Sequence, residues 1–114
     1  MKPNLKRVYA EPAPSDGTRI LVDRLWPRGL TKEKAHVDLW LKDVAPSTEL
    51  RKWFAHDPAR WTEFKSRYRD ELRKNGEHLA ALKQAVAKGP STLLYGAKDE
   101  EHNEAVVLLD LVER

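Results

Sequence analysis

Cysteine is absent from this chain. That excludes disulfides, a thiolate nucleophile and any zinc or iron–sulfur centre built on cysteine. Glycine is scarce, with five in 114 residues, and none falls in a G-x-G-x-x-G or G-K-[ST] pattern. The turns that usually cradle dinucleotides, ATP or S-adenosylmethionine are therefore missing. No apolar run is long enough to span a bilayer, and the opening MKPNLKRVYAE lacks the apolar stretch of a signal peptide. The histidines, at 36, 56, 78 and 102, never fall at H-x-H or H-E-x-x-H spacing. No metal site and no cofactor is expected. Repeats, low-complexity segments and long linkers are also missing. What remains is the expectation of one cytoplasmic domain over residues 1–114, long enough to bury a core without staples.

Charge of either sign is plentiful: 21 basic and 18 acidic residues give a net +3 and a pI near 9.2. The signs are well mixed, as on a solvated surface, and pairs such as Glu63–Arg67 and Asp70–Lys74 fit the outer face of a helix. The excess leaves nucleic acid as a second class of partner, decided by whether the arginines gather on one face.

Along the chain, Leu5 to Tyr9 alternates apolar and basic residues like a half-buried strand. EPAPSDG over 11–17 is a loop, and Arg19 to Leu25 carries the Ile-Leu-Val run of a strand covered on both faces. Residues 31–36 have no clear form, and Val37 to Leu41 fits either a short strand or a helical turn. Ser47 is a good helix cap ahead of Leu50, Trp53 and Phe54. Asp57-Pro58 opens a second helix with the stripe Trp61, Phe64, Tyr68 and Leu72, ended by Asn75-Gly76. Tyr68 belongs to that apolar stripe, with its hydroxyl reaching a partner. Glu77 to Lys88 is a third helix, Thr92 to Tyr95 a short strand, and a last helix starts near Asp99. Strands separated by helices predict an α/β fold: a small, mainly parallel sheet of three to four strands with right-handed crossovers and packed helices.

In such sheets ligands bind beyond the carboxyl ends of the strands. Two strands end unusually: one in DRLWPRG (23–29), the other in YGAKDEEHN (95–103). If they are parallel neighbours, Arg24 and Arg28 face a helix start bearing His102 and Asn103. Guanidinium forks and a helix N-terminus both suit phosphate or carboxylate. The plain alternative is rim ion pairs around an ordinary turn. Ser47, with Arg51 one turn on, is first of all a cap, while still able to present a helix end to an anion. His102 is placed to move a proton and Tyr95 to show its hydroxyl to a cavity. A Ser47–His102–Asp99 triad gains no support from spacing.

The segments DGTRILVDRLWPRG (16–29), VDLWLKDVAPSTELRKWFAHD (37–57), FKSRYRDEL (64–72) and LLYGAKDEEHNEAVVL (93–108) resemble the YeaO-like branch of the domain of unknown function 488 family. The resemblance covers nearly the whole chain and implies a single α/β domain without an established activity. The wider family tends to carry cysteines and a Cys-His-Arg cluster after the last strand. Here that stretch has Tyr95, His102 and Asn103, so no thiol or metal chemistry carries over. A uroporphyrinogen methyltransferase label on some relatives finds no cofactor loop here. Matching the branch motifs residue by residue singles out Arg19, Arg24, Arg28, Ser47, Arg51, Tyr95, His102 and Asn103.

Three functions follow as expectations. The leading one is a small anionic ligand at the carboxyl edge of the sheet, with Arg19, Arg24, Arg28, Ser47, Arg51 and Asn103 binding and His102 and Tyr95 handling protons. The second is a nucleic-acid-binding module. The third is a non-catalytic partner-binding domain, which predicts an exposed apolar patch at Trp40, Trp53 or Trp61.

Overall fold

Ile20, Leu21 and Val22 have no solvent exposure in the computed structural model of the chain, which describes residues 2–113. A run buried on both faces needs sheet neighbours on both sides and cover above and below, and it has both. Strands β1 (Asn4–Arg7), β2 (Thr18–Leu21), β3 (Leu39–Trp40) and β4 (Ser91–Tyr95) form one sheet in the order β1-β4-β2-β3. Every pairing is parallel, with Ile20 opposite Leu93 and Leu39, and Leu5 also opposite Leu93. The segment at 37–41 is a strand, reduced to two paired residues at the sheet edge. β2 ends earlier than its apolar run suggests, although the Val22 N–H still reaches the Leu94 carbonyl at 3.1 Å.

Side-chain alternation divides the core. Ile20, Val22, Leu93 and Tyr95 point to the face covered by α2 (Thr48–Phe54), α3 (Trp61–Lys74), α4 (Gly76–Ala87) and α5 (Glu104–Val112). Leu21, Leu94 and Val8 point to the other face, where they pack with Ala35 of the single-turn helix α1 (Lys32–Ala35) and the partly buried Trp26, Leu30 and Val37. The basic stretch of unclear form is that turn, capped by Thr31.

Helix starts follow local chemistry. Ser47 Oγ accepts from the Leu50 N–H at 3.1 Å and caps α2. Asp57 accepts from the Ala59 N–H and opens a 3-10 turn over Pro58–Arg60 that leads into α3. Tyr68 is fully buried, with its hydroxyl 2.5 Å from the Val44 carbonyl. The last helix departs from expectation. Asp99 is not its cap: its Oδ1 accepts the Glu101 and His102 N–H groups in a separate turn, and Asn103 caps α5 through the Val106 N–H. Among the described residues no helix is long and apolar enough to cross a membrane.

At the amino end of the sheet, Gly17 has φ +64°, and a Cβ there would lie 2.2 Å from the Pro90 carbonyl oxygen. Only glycine lets the 11–17 loop turn so close to the chain entering β4.

Candidate functional site

The loops after β2 and β4 meet, because those strands are parallel neighbours. Beyond their carboxyl ends lies a cavity of ≈ 340 Å³, lined by residues of both loops and of α2. Arg24, Arg28, Arg51, His102 and Asn103 all line it. Arg19, Ser47 and Tyr95 are not among its lining residues.

Three aromatic side chains hold the 23–30 loop in shape. Tyr9 Oη donates to the Arg28 carbonyl at 3.0 Å, Trp26 Nε1 to the Leu30 carbonyl at 2.7 Å, and Trp40 Nε1 to the Asp23 carbonyl at 2.8 Å. The Trp26 and Trp40 rings meet edge to face at 5.5 Å. Arg24 donates through Nε to the Pro46 carbonyl at 3.2 Å and through Nη2 to that of Ala45 at 3.1 Å. Among the described residues no carboxylate lies within ion-pairing distance of Arg24, Arg28 or Arg51. Three arginines without an ion pair among the described residues thus line the cavity. On its far rim, Ala55 and His56 both adopt positive φ (46° and 56°), an unfavourable conformation for side-chain-bearing residues. That bend ends α2 and places His56 on the lining.

His102 is fixed from one side, with Nδ1 2.9 Å from Asp99 Oδ2. The Glu101 N–H first of all, with the His102 side chain and N–H, outweighs desolvation and holds the Asp99 carboxyl below its ordinary range. An ionised carboxylate only accepts, so Nδ1 carries a hydrogen and Nε2 is the ring nitrogen left for other contacts. The ring stands edge-on to Trp61 at 5.3 Å.

The residues outside the cavity have other partners. Arg19 is buried over the thinly covered face, where Nη1 contacts Asp16 Oδ2 at 2.5 Å and Nε and Nη2 donate to the carbonyls of His36 and Ala35. Lys6 Nζ reaches the same Asp16 carboxylate at 2.8 Å. Ser47 lines a separate depression of ≈ 270 Å³, and its hydroxyl donates to Glu71 Oε2 at 2.5 Å. Tyr95 is buried against the helical layer; burial is the main cause that pushes its hydroxyl above the usual range.

Sequence reasoning missed the pair Asp23 and Glu104. Both line the cavity, and their carboxyls hydrogen-bond to each other. Burial first, then the hydrogen bond and charge of Asp23, push Glu104 well above its ordinary 4.5, although its own backbone N–H works the other way. The buried Oε1 of Glu104 finds no partner among the described residues. Asp23 Oδ2 takes the Gly96 N–H at 2.8 Å, so close that a Cβ at position 96 would lie 2.9 Å from it. The Val106 N–H of α5 is engaged by Asn103. The signal available in the sequence was an acid in the first turn of a helix that follows a strand-end loop.

A family model described as "Inactive DUF488-N3 subclade" matches residues 2–114. The chain belongs to that family. YeaO of Escherichia coli K12, an uncharacterised protein, is 46% identical over 105 residues, covering 92% of this chain and 91% of the relative. The uncharacterised Rv3073c of Mycobacterium tuberculosis H37Rv is 42% identical over 106 residues, covering 93% and 89%. No solved structure matches at comparable stringency. For this DUF488 member the resemblance in the strand-end motifs therefore holds over the full length of the fold, and the cavity lies where two of those motifs converge.

Of the tryptophans of this DUF488 domain, Trp40 is exposed beside Leu39, while Trp53 and Trp61 are partly buried. Trp40 lies under Lys42, Trp53 under Arg60 and Arg67, and Trp61 under Lys65, each cation 4.4–5.6 Å from a ring centroid.

Proposed function

We propose that the cavity binds a small metabolite through an anionic group, phosphate or carboxylate, held by Arg24, Arg28 and Arg51. The observation that carries this reading is that three arginines, none ion-paired with a described acid, line one ≈ 340 Å³ cavity. Arg24 is oriented by two backbone carbonyls, which leaves Nη1 for a ligand, while the exposed Arg28 and Arg51 close over the anion from two elements. Phe54 and Phe64 give the cavity an apolar wall, as small-molecule sites usually have. The description "inactive" for the family supports binding rather than turnover. His102, held through Nδ1 by Asp99, offers Nε2 to the ligand.

Thermal melts with inorganic phosphate and a panel of phosphorylated and carboxylated metabolites test this. A ligand at a hundredfold excess over its Kd adds about 2.7 kcal/mol, which raises Tm on the order of 10 °C for a domain this size. The shift should vanish in Arg28→Ala/Arg51→Ala and survive in Arg73→Ala, which removes an equally exposed charge from α3. An anion shift that persists in the double variant, or that never occurs, refutes the reading. A shift only with polynucleotides, falling steeply with salt, would replace it with nucleic-acid binding.

A further inference from the structure

Resting on that anion reading, we propose that the ligand carries a planar aromatic ring beside its anionic group, and that this ring stacks on Tyr9 at the mouth of the cavity. The arginines account for a charge and leave the apolar rim unexplained. Four large apolar side chains are exposed among the described residues, and the two most exposed, Leu25 at 59% and Tyr9 at 42%, both line this cavity. Scattered singly, such residues carry no message; two on one rim form a surface that a ligand can cover. Tyr9 is also held as a platform. Its hydroxyl donates to the Arg28 carbonyl at 3.0 Å, and the Arg7 guanidinium lies 5.2 Å from its ring centroid. Arg7 is fixed in turn, donating through Nε to the Ala97 carbonyl at 2.9 Å. A ring tethered at one edge and backed by a cation loses little freedom when a second ring stacks on it.

His56 supplies a second observation. It lines the same cavity, is exposed, and adopts φ 56° directly after Ala55 has turned the chain at φ 46°. Glycine takes that conformation without steric cost, so a side chain held there marks a position where the side chain is used. Its ring lies 6.3 Å from that of Phe54 and carries the aromatic wall out to the rim. The bond from Tyr9 to the Arg28 carbonyl sets the platform beside a residue of the anion site, so one small molecule reaches both. A cavity of ≈ 340 Å³ stands at the small end of ligand sites, with room for one ring and one phosphate. Three arginines suit the charge of about −1.5 to −2 on a phosphate monoester better than the single charge of a carboxylate. The ligand class is therefore an aromatic monophosphate, a chemistry that nucleoside monophosphates and simpler aryl phosphates share. A sugar phosphate would meet the arginines and leave Tyr9 and Leu25 uncovered.

The test compares ethyl phosphate, cyclohexyl phosphate, phenyl phosphate, adenosine 5′-monophosphate and adenosine by calorimetry on the full chain. Expected is binding of the two aromatic phosphates on the order of tenfold tighter than that of ethyl phosphate. Cyclohexyl phosphate, which has the bulk of a ring without its flat face, should stay near ethyl phosphate. The aromatic advantage should vanish in Tyr9→Leu and survive in Tyr9→Phe, which gives up the hydroxyl and keeps the ring. His56→Gly, which suits the left-handed backbone, should keep the fold and lower the advantage several-fold. Whichever of phenyl phosphate and adenosine 5′-monophosphate binds tighter names the source of the ring, and either order sustains the inference. Aromatic phosphates that bind no tighter than ethyl phosphate, an equal gain for cyclohexyl phosphate, or an advantage that survives Tyr9→Leu overturns the inference and leaves the anion reading standing. Binding of adenosine that depends on Tyr9, with no binding of ethyl phosphate, sustains the ring site and overturns the anion reading. Binding of none of the five overturns both.

Discussion

Strand β2 is bracketed by an aspartate and an arginine at each end, wired in opposite ways. At its start, Asp16 and Arg19 pair with each other, Lys6 joins them, and all are largely buried. At its far end, Asp23 accepts the Gly96 N–H and Arg24 donates to two carbonyls, and among the described residues neither forms an ion pair. The first arrangement is closed and needs nothing further. The second is left with unspent valence on both sides, as a binding site must be. Identical residue types thus separate a structural cluster from a candidate site only through what they contact.

The largest expected effect comes from breaking the closed end. Arg19→Ala leaves the buried Asp16 to Lys6 and the Ala13 N–H and strips the Ala35 and His36 carbonyls of their donor, and should cost about 3 kcal/mol in urea unfolding. Arg24→Ala gives up two carbonyl contacts at a half-exposed position, about 1–2 kcal/mol. Equal losses would erase the distinction between the two ends.

A smaller effect separates the ends by sign of pH dependence. Burial works to raise the Asp16 carboxyl, but hydrogen bonds from Lys6, Ala13 N–H and Arg19 overcome it and hold the group below 3.8. Its stabilisation is therefore full above that value and is lost as pH falls through the lower folded-state value. Glu104 runs the other way: raised above 4.5, it contributes stability that is present below that value and is lost as pH rises. Glu104→Gln should accordingly raise Tm at neutral pH, by an amount that shrinks on acidification towards 4.5. A variant less stable than the parent at neutral pH would show that the acid pair is structural. Smallest of all, Arg28→Ala/Arg51→Ala should leave stability within about 0.5 kcal/mol per site, because both side chains are exposed and unpaired.

Much of this was legible in the residues. The apolar run at 20–22, the caps at Ser47 and Asp57, and the helical stripe ending in Leu72 each follow from local rules, and the parallel sheet follows from their alternation. The meeting of the two strand-end loops was legible too, as a consequence of parallel neighbours. What was not legible depends on contacts between distant segments. Asp23 and Glu104 sit on different strand ends, and no spacing rule links an acid after β2 to one in the first turn of α5. Arg19 and Tyr95 show a second limit. Arg19 lies at the start of its strand, away from the carboxyl edge, and alternation puts Tyr95 on the face roofed by helices. Both facts follow from strand direction and period. Asp99 and Asn103 are both good caps, and only the fold chose between them.

The three aromatic hydrogen bonds that brace the 23–30 loop carry a kinetic consequence. A mouth already fixed by its own side chains does not wait for a segment to order before a ligand enters. Stopped-flow association should then be a single phase whose rate rises linearly with ligand concentration, without the plateau that a slow rearrangement imposes. Loss of the Tyr9 hydroxyl would introduce that plateau, and the entry rate would report how well the gate is propped open.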